Sequence, residues 1–292
     1  MKQIQKSLLP VLLIFLAFFV FGCSPSKNAQ LAAGNAPLTV KMLDVGQGDS
    51  LLIRTAGQVV LVDTGDVPAR EKLVAQLKKE GISTIDKLII THPHADHMGG
   101  AQAVFDNFTV KQVYDSGQTT TTGTYKQYLN TIKQKKIPFA LLAAGDKIEL
   151  DQGIVLNVMA PEKPYISGSD SDLNNNSIVM KLVFRSFSML FTGDAEKESE
   201  ERILKRFGGE LKSTVLKSGH HGSSTASSAA FIKAVSPEAA LISLGANNEY
   251  HHPHPSVLKR YEQQKIKVYR TDTDGTITVT SDGNSYNIAK EK

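Results

Sequence analysis

The chemically most distinctive stretch of this 292-residue chain runs from His92 to His97, where three imidazoles and the carboxylate of Asp96 lie within six residues. It directly follows Leu88-Ile89-Ile90, an apolar segment typical of a buried strand. Imidazole nitrogen and carboxylate oxygen together are ligands for Zn²⁺, Mn²⁺ or Fe. Without a cation, so many polar groups on one turn would be crowded and partly desolvated. The spacing therefore predicts a metal site, with a solvated polar loop as the alternative.

Other candidate ligands also follow apolar segments. Asp194 comes after 189–191, and its alternative role is to cap the next helix. The histidines outside the first cluster are His220, His221, His251, His252 and His254. The first two follow segment 215–217 and the others follow segment 241–244, so all eight histidines lie in three clusters at predicted strand ends. This distribution favours one shared site, although His251 and His252 are also compatible with ordinary loop positions.

Apolar periodicity and turn residues predict the elements that position these side chains. The predicted strands are 38–43, 50–54, 59–63, 86–90, 110–114, 137–142, 146–150, 153–160, 178–184, 188–191, 213–217, 239–244 and 267–269, with a last hairpin over 275–288. The predicted helices are 69–79, 97–106, 123–135, 196–207, 226–234 and 255–265. Strands and helices alternate in two similar halves. We therefore expect an α/β (α+β) fold with two packed sheets between helical layers, a four-layer αββα sandwich.

The N-terminal region reads as an export signal with an anchor. Residues 1–22 carry Lys2 and Lys6 before an apolar run, as in a lipoprotein signal peptide. Cys23 is the only cysteine, so it has no internal disulfide partner and is the predicted lipidation site. Residues 23–37 read as a flexible tether, and 38–290 as one domain. We expect a bacterial protein held at the extracytoplasmic face of the cell membrane by lipid on Cys23. An uncleaved membrane helix is the alternative.

The charge does not predict tight nucleic-acid binding. The formal net charge is +4, and removal of the first 22 residues leaves it near +2. A net charge this small does not by itself attract a polyanion such as DNA. Lys217, beside the His220/His221 pair, is a candidate phosphate contact, and a solvated lysine at a strand end is the equal alternative.

Seven motifs appear together and in a fixed order along the chain. They are Leu43-Asp44-Val45-Gly46-Gln47-Gly48-Asp49-Ser50, Val62-Asp63-Thr64-Gly65, the cluster from His92 to His97, Asn174-Asn175-Asn176-Ser177, Phe191-Thr192-Gly193-Asp194, Gly219-His220-His221-Gly222-Ser223 and His252-Pro253-His254-Pro255. With these motifs, residues 38–283 resemble the metallo-β-lactamase superfamily. Within it they resemble the hydrolase-like domain at the C-terminus of ComEC-type competence DNA-uptake proteins.

The resemblance implies a two-metal site. His92 and His94 would bind one ion, Asp96 and His97 the second, and Asp194 would bridge them. His221 or its neighbour His220 would complete the ligand set. Asp63 would orient a metal-binding imidazole, and Asp49 would line the mouth of the site. The chain departs from many members because no His lies between residues 97 and 194. The Asn-rich motif occupies that stretch, which implies that one ion is held more weakly.

Two ions about 3.5–4 Å apart would hold a bridging hydroxide as nucleophile and polarise a phosphoryl or acyl oxygen. Asp96 is then a catalytic residue as well as a ligand. His220, or alternatively His254 if its loop folds over the site, would donate a proton to the leaving oxygen. Ser223 and Asn176 would hold non-bridging oxygens.

The leading hypothesis for function is hydrolysis of a phosphodiester by two divalent ions, Zn or Mn. Its substrate would be DNA or a phosphorylated envelope polymer. One alternative is hydrolysis of a carboxylic ester, thioester or lactam, which a narrow apolar pocket would favour. The other is a non-catalytic lipoprotein that binds DNA or a polymer for an uptake apparatus.

Overall fold

A computed structural model describes Met1, residues 37–151 and residues 153–292. The rest of the predicted signal peptide, Cys23 and almost all of the predicted tether lie outside these residues. Within the described part, no helix is long and apolar enough to cross a bilayer.

Two large sheets form the centre of the domain. The strands are β1 Leu38–Met42, β2 Leu51–Thr55, β3 Val59–Val62, β4 Thr84–Ile85, β5 Lys87–Ile90, β6 Thr109–Val110, β7 Val113–Asp115, β8 Phe139–Leu141, β9 Lys147–Asp151, β10 Ile154–Ala160, β11 Val179–Phe184, β12 Phe187–Phe191, β13 Val215–Lys217, β14 Ala239–Ile242, β15 Lys267–Arg270, β16 Ile277–Ser281 and β17 Tyr286–Lys290. One sheet has the order β17-β16-β1-β2-β3-β5-β7-β8, and the other has the order β15-β14-β13-β12-β11-β10-β9. Strands β4 and β6 form a separate short parallel pair. In each large sheet the strands beside the metal-ligand motifs run parallel.

Helices cover the outer face of each sheet. The α-helices of the described residues are α1 Arg70–Lys79, α2 Ala95–Met98, α3 Ala101–Asn107, α4 Gly123–Lys135, α5 Asp172–Asn175, α6 Lys197–Phe207, α7 Ala229–Val235, α8 Pro255–Gln263 and α9 Thr271–Asp274. The core between the sheets includes Val40 and Met180, whereas Leu88 packs outward with the first helices and Leu216 with the later ones. Strands buried on both faces explain the nearly continuous apolar segments. The predicted four-layer sandwich is confirmed.

The predicted helix 97–106 is in fact two helices, α2 and α3, separated by Gly99 and Gly100. A Cβ at Gly99 would lie 2.4 Å from Val67 N, and one at Gly100 would lie 2.2 Å from Thr64 O. Only glycine permits this close approach of two backbone segments. The break confines α2 to a single turn against the end of β3. That turn carries Asp96 and His97.

Candidate metal centre

The predicted ligands come together where the carboxyl ends of the parallel strands of both sheets meet. His92 and His94 follow β5, and Asp96 and His97 lie on the adjoining α2. Two further residues come from the second sheet, Asp194 after β12 and His221 after β13. We call these six residues the donor cluster: His92, His94, Asp96, His97, Asp194 and His221.

One oxygen of Asp194 lies at the middle of the donor cluster. Its Oδ2 is 3.1 Å from His97 Nε2 and 3.3 Å from His221 Nε2. The same oxygen lies 3.8 Å from His220 Nε2 and 4.0 Å from His92 Nε2. Four imidazole nitrogens therefore face one carboxylate oxygen that is almost completely buried. The alternative role of Asp194 as a helix cap is wrong, because α6 begins at Lys197 with Glu196 in the cap position.

Four members of the donor cluster form a compact set of donor atoms. Ligand atoms of Asp96, His97, Asp194 and His221 all lie within 4.8 Å of one another. Asp96 Oδ2 is 3.1 Å from His221 Nε2 and 3.6 Å from His97 Nε2. His97 Nε2 is buried and has no hydrogen-bond partner among the described residues. Converging carboxylate oxygens and an unpartnered buried imidazole nitrogen fit a divalent cation.

His92 and His94 form a second pair of donors beside this set. His92 Nε2 lies 3.0 Å from His94 Nδ1. Burial, reinforced by the charge of His97, holds the pKa of His92 well below its usual value. Burial also lowers the pKa of His94. Both imidazoles are therefore neutral near pH 7, which is the state that binds a metal.

Hydrogen bonds behind the imidazoles fix the direction of the ring nitrogens. His97 Nδ1 lies 2.8 Å from Asp63 Oδ2, and this carboxylate also accepts hydrogen bonds from the backbone N–H and hydroxyl of Thr91. His221 Nδ1 lies 2.8 Å from the carbonyl oxygen of Ser243. Each contact uses Nδ1 and leaves Nε2 facing the donor cluster. Such partners orient metal-binding imidazoles in proteins.

The donor cluster itself carries strongly coupled charges. Burial alone would lower the pKa of His221, but the carboxylates of Asp194 and Asp96 outweigh it and raise this pKa to about 10. Burial would likewise raise the pKa of Asp194, yet His221 and His97 hold it well below its usual value. The buried carboxylates thus require positive charge beside them, which protons or a metal ion can supply.

Asp49 and Lys217 lie behind the donor cluster. Asp49 does not line the mouth as predicted, since only 1% of it is exposed. Both sequence-based interpretations of Lys217 are wrong because its side chain is fully buried. The signal for this burial was its place in the otherwise apolar segment Val215-Leu216-Lys217.

Two side chains that were not predicted to be functional, Glu196 and Asn174, lie against His220. His220 Nδ1 lies 3.0 Å from Glu196 Oε1, and Asn174 Nδ2 donates to the same oxygen over 2.9 Å. Asn174 Oδ1 is buried and has no hydrogen-bond partner among the described residues. The Asn-rich motif therefore does reach the site, but through Asn174. The side chain of Asn176 is held by Ile166 and Asp172 instead.

An open cavity of about 360 Å³ leads to the donor cluster. Its outer wall includes Tyr250, which was not predicted to be functional, and His252, for which the sequence left a place in the shared site and an ordinary loop position open. His254 does not reach the donor cluster, because it is exposed and its ring caps α8 through Ser256. Ser223 is buried, and its hydroxyl contacts Thr225 rather than the cavity.

Comparison with known proteins identifies the family. The sequence profile described as the metallo-β-lactamase superfamily matches residues 43–246. The chain belongs to this superfamily. The B. subtilis protein YhfI, a solved metallo-β-lactamase fold protein, superposes with a TM-score of 0.56 at 12% identity and covers 82% of this chain and 99% of that one. A metallo-β-lactamase domain and a His/Asp cluster that can bind metal are the features of a metal-dependent hydrolase.

Longer competence proteins are its relatives within the superfamily. ComE operon protein 3 of Bacillus subtilis (strain 168) is 32% identical over 282 residues, 90% of this chain and 34% of that protein. Competence protein ComA of Neisseria gonorrhoeae is 35% identical over 239 residues, 82% of this chain and 31% of that protein. The chain thus spans about a third of the length of these relatives. The ComEC-type resemblance predicted from the motifs is confirmed.

Proposed function

We propose that this metallo-β-lactamase-fold protein hydrolyses phosphodiesters with two divalent cations, Zn²⁺ or Mn²⁺, held by the donor cluster. The observation that carries the proposal is the position of Asp194 Oδ2, which faces imidazoles from both sheets at 3.1–4.0 Å. A carboxylate between two groups of imidazoles suits a bridging ligand. His92 and His94 would hold one ion, and Asp96, His97 and His221 would hold the other.

When bound, two such ions polarise a phosphoryl oxygen and lower the pKa of water toward about 7. The side chains of this protein then supply position and protons. Asp63 and the backbone carbonyl of Ser243 fix the two imidazoles that they contact. Asp96 lies on the cavity side with 26% of its side chain exposed, so it can contact substrate as well as metal.

His220 is the proposed proton donor to the leaving oxygen. A quarter of its side chain is exposed in the cavity, and its Nδ1 faces the carboxylate of Glu196. Burial would raise the pKa of the Glu196 carboxyl, but its hydrogen bonds with His220 and Asn174 outweigh burial and lower this pKa. The carboxylate holds the His220 ring at Nδ1, which leaves Nε2 as the proposed proton donor to the leaving oxygen.

The cavity favours a phosphodiester over the acyl alternatives. A narrow, apolar pocket would suit an ester, thioester or lactam, whereas this cavity is open and polar residues line most of it. Similarity to competence proteins supports a nucleic-acid substrate over other phosphodiesters. A phosphorylated envelope polymer remains the second substrate for the test. A lipoprotein that binds DNA or a polymer without cleaving it is the third outcome.

A substrate panel tests the proposal. The purified full-length chain, loaded with Zn²⁺ or Mn²⁺, is assayed on bis(p-nitrophenyl) phosphate, p-nitrophenyl acetate and a chromogenic lactam. We expect metal-dependent turnover of the phosphodiester, its loss in His94→Ala, and its retention in His251→Ala, a change at an exposed histidine. Turnover of the acyl substrates alone would replace the proposal with the acyl hydrolase. Tight DNA binding without cleavage would replace it with the binding protein.

The location proposed with this function is the outer face of the cell membrane. Its support is the predicted signal peptide and Cys23, both in the sequence. The domain from residue 38 onward would then act on substrate outside the membrane, at the end of the tether formed by residues 23–37.

A further inference from the structure

A row of three aromatic rings extends from His220, beside the donor cluster, to the protein surface. The rings of His220 and His252 meet edge to face with centroids 5.6 Å apart. Beyond them, the ring of Tyr250 is stacked on His252 with centroids 5.7 Å apart and planes 28° apart. Tyr250 is 57% exposed, among the most exposed large apolar side chains of the described residues. An exposed aromatic ring at the mouth of a polar cavity offers a flat surface for a planar ligand.

The loop that carries these rings is held in place. The side-chain amide of Asn248 closes it, donating to the carbonyl oxygens of Gly245 over 3.0 Å and His252 over 2.7 Å. Its Oδ1 in turn accepts from the N–H of His252 over 2.9 Å. At the far end of the loop, the N–H of His254 donates to Gly222 O over 2.9 Å, beside the His220/His221 turn. The loop is therefore fixed beside the site, so a ligand that binds there pays little conformational entropy to order it.

The residues that line the cavity include few groups that could bind a phosphate backbone, so the ring of Tyr250 can contribute to substrate binding. No Lys or Arg is among the described residues that line the cavity, and Asp66 lies on its wall. Metal ions and histidines aside, a phosphate backbone would find no basic side chain among these lining residues. Stacking of a base on an aromatic side chain contributes about 1–3 kcal/mol without regard to sequence.

We propose that Tyr250, backed by His252, is a stacking subsite for an unpaired nucleobase next to the scissile phosphodiester. The subsite rests on the proposed function and narrows its substrate to single-stranded nucleic acid. Among polymers joined by phosphodiesters, nucleic acids carry a planar π-system on every unit. In a duplex, neighbouring bases cover those faces, so an unpaired base is needed to reach Tyr250.

A pair of matched oligonucleotides tests the subsite in the full-length Mn²⁺-loaded protein. One is an eight-residue oligothymidylate, and the other has the same backbone with every base removed. We expect kcat/KM to favour the thymidylate, and Tyr250→Ala to reduce this preference about tenfold. Tyr250→Phe, which keeps the ring, should retain it. Phe139→Ala removes another exposed aromatic, 41% exposed on β8, and should leave the preference intact.

A binding measurement separates the subsite from the chemistry. In the His94→Ala background, fluorescence anisotropy of the same labelled strands should show tighter binding of the thymidylate, and Tyr250→Ala should abolish the difference. If wild type and Tyr250→Ala prefer the thymidylate over the abasic strand to the same degree, the subsite is overturned, whereas phosphodiester hydrolysis is not. Failure of the wild type to cleave either strand or bis(p-nitrophenyl) phosphate would overturn the proposed function instead. A glycosylated glycerol-phosphate polymer serves as a third substrate. If Tyr250→Ala reduces kcat/KM on this polymer alone, the ring binds a sugar and the nucleobase proposal is overturned.

Discussion

Lys217 Nζ lies 2.5 Å from Asp49 Oδ2, and each side chain is 1% exposed. The ammonium also donates to Gly193 O over 2.8 Å and lies 3.6 Å from Asp194 Oδ1. Asp49 Oδ1 is 3.4 Å from His221 Nδ1. This buried ion pair thus contacts both the central carboxylate of the donor cluster and one of its imidazoles. Burial alone would lower the pKa of Lys217, but Asp49 and Asp194 outweigh it and raise this pKa, so the ammonium stays charged.

Removal of one partner from this pair should be costly. Lys217→Met removes the ammonium from two buried carboxylates, Asp49 and Asp194, and breaking a buried ion pair in this way typically destabilises a protein by about 3–5 kcal/mol. We expect a reduction of that size in the free energy of unfolding, measured by urea denaturation of the metal-free protein. Lys126→Met, at an exposed position of α4, is the control and should change it by less than about 0.5 kcal/mol. Adding Asp49→Asn to Lys217→Met should recover part of the loss. A Lys217→Met protein as stable as wild type would show that the pair has no structural role.

Metal content tests the two groups of ligands separately. We expect the purified protein, dialysed against Zn²⁺ or Mn²⁺, to hold close to two ions per chain by elemental analysis. His94→Ala should lower the content toward one ion, because it leaves Asp96, His97, Asp194 and His221 in place. His251→Ala should keep two. A single ion in the wild type would refute the binuclear assignment.

The stability of the metal-free protein should depend on pH between about 6.5 and 10. The folded-state pKa of His221 is raised to about 10 by Asp194 and Asp96 against burial, whereas an unfolded His titrates near pH 6.5. The stabilisation from protonated His221 is therefore complete below pH 6.5 and is lost as the pH rises through 10. We expect the melting temperature in EDTA to fall over this interval, and His221→Gln to reduce the slope. Saturating Zn²⁺ should reduce it too, because metal replaces the proton. If the melting temperature of His221→Gln falls with pH as steeply as that of the wild type, His221 is not the cause of the pH dependence.

The proposed acid role of His220 has a kinetic signature. A good leaving group such as p-nitrophenolate departs without protonation, whereas an alkoxide needs a proton. His220→Ala should therefore reduce kcat on an alkyl phosphodiester about 100-fold or more, and far less on bis(p-nitrophenyl) phosphate. If the two substrates lose activity equally and the metal content falls, His220 is a ligand and not the acid.

The anchor is tested at Cys23. We expect Cys23→Ser to release the protein from the membrane fraction or to block its maturation, and mass spectrometry of the wild type to show a lipid on this residue. An unmodified Cys23 together with unchanged membrane attachment would favour the uncleaved helix over the lipid anchor.

The sequence by itself determined the layers of the fold and the location of the His/Asp cluster that can bind a metal. Apolar segments long enough to be buried on both faces mark strands between helices, and this pattern is local in the sequence. The His clusters were visible for the same reason, since His92, Asp96 and Asp194 each follow such a segment closely. Strand ends of neighbouring parallel strands meet at one edge of a sheet, which is why the clusters could be assigned to one site.

Only the tertiary structure decided what each polar side chain contacts. His220 and His221 are adjacent, and both have left-handed backbone angles, with φ of 45° and 51°. Their rings meet different partners: His220 Nδ1 faces Glu196, whereas His221 Nε2 faces Asp96 within the donor cluster. No spacing rule distinguishes the two residues. Lys217 ends β13 in one sheet, and Asp49 precedes β2 in the other. The ion pair between these two distant residues forms where the sheets meet and lets the lysine be buried. Long-range pairing of charges in a dry interior is a property of the packed chain, and local sequence does not encode it.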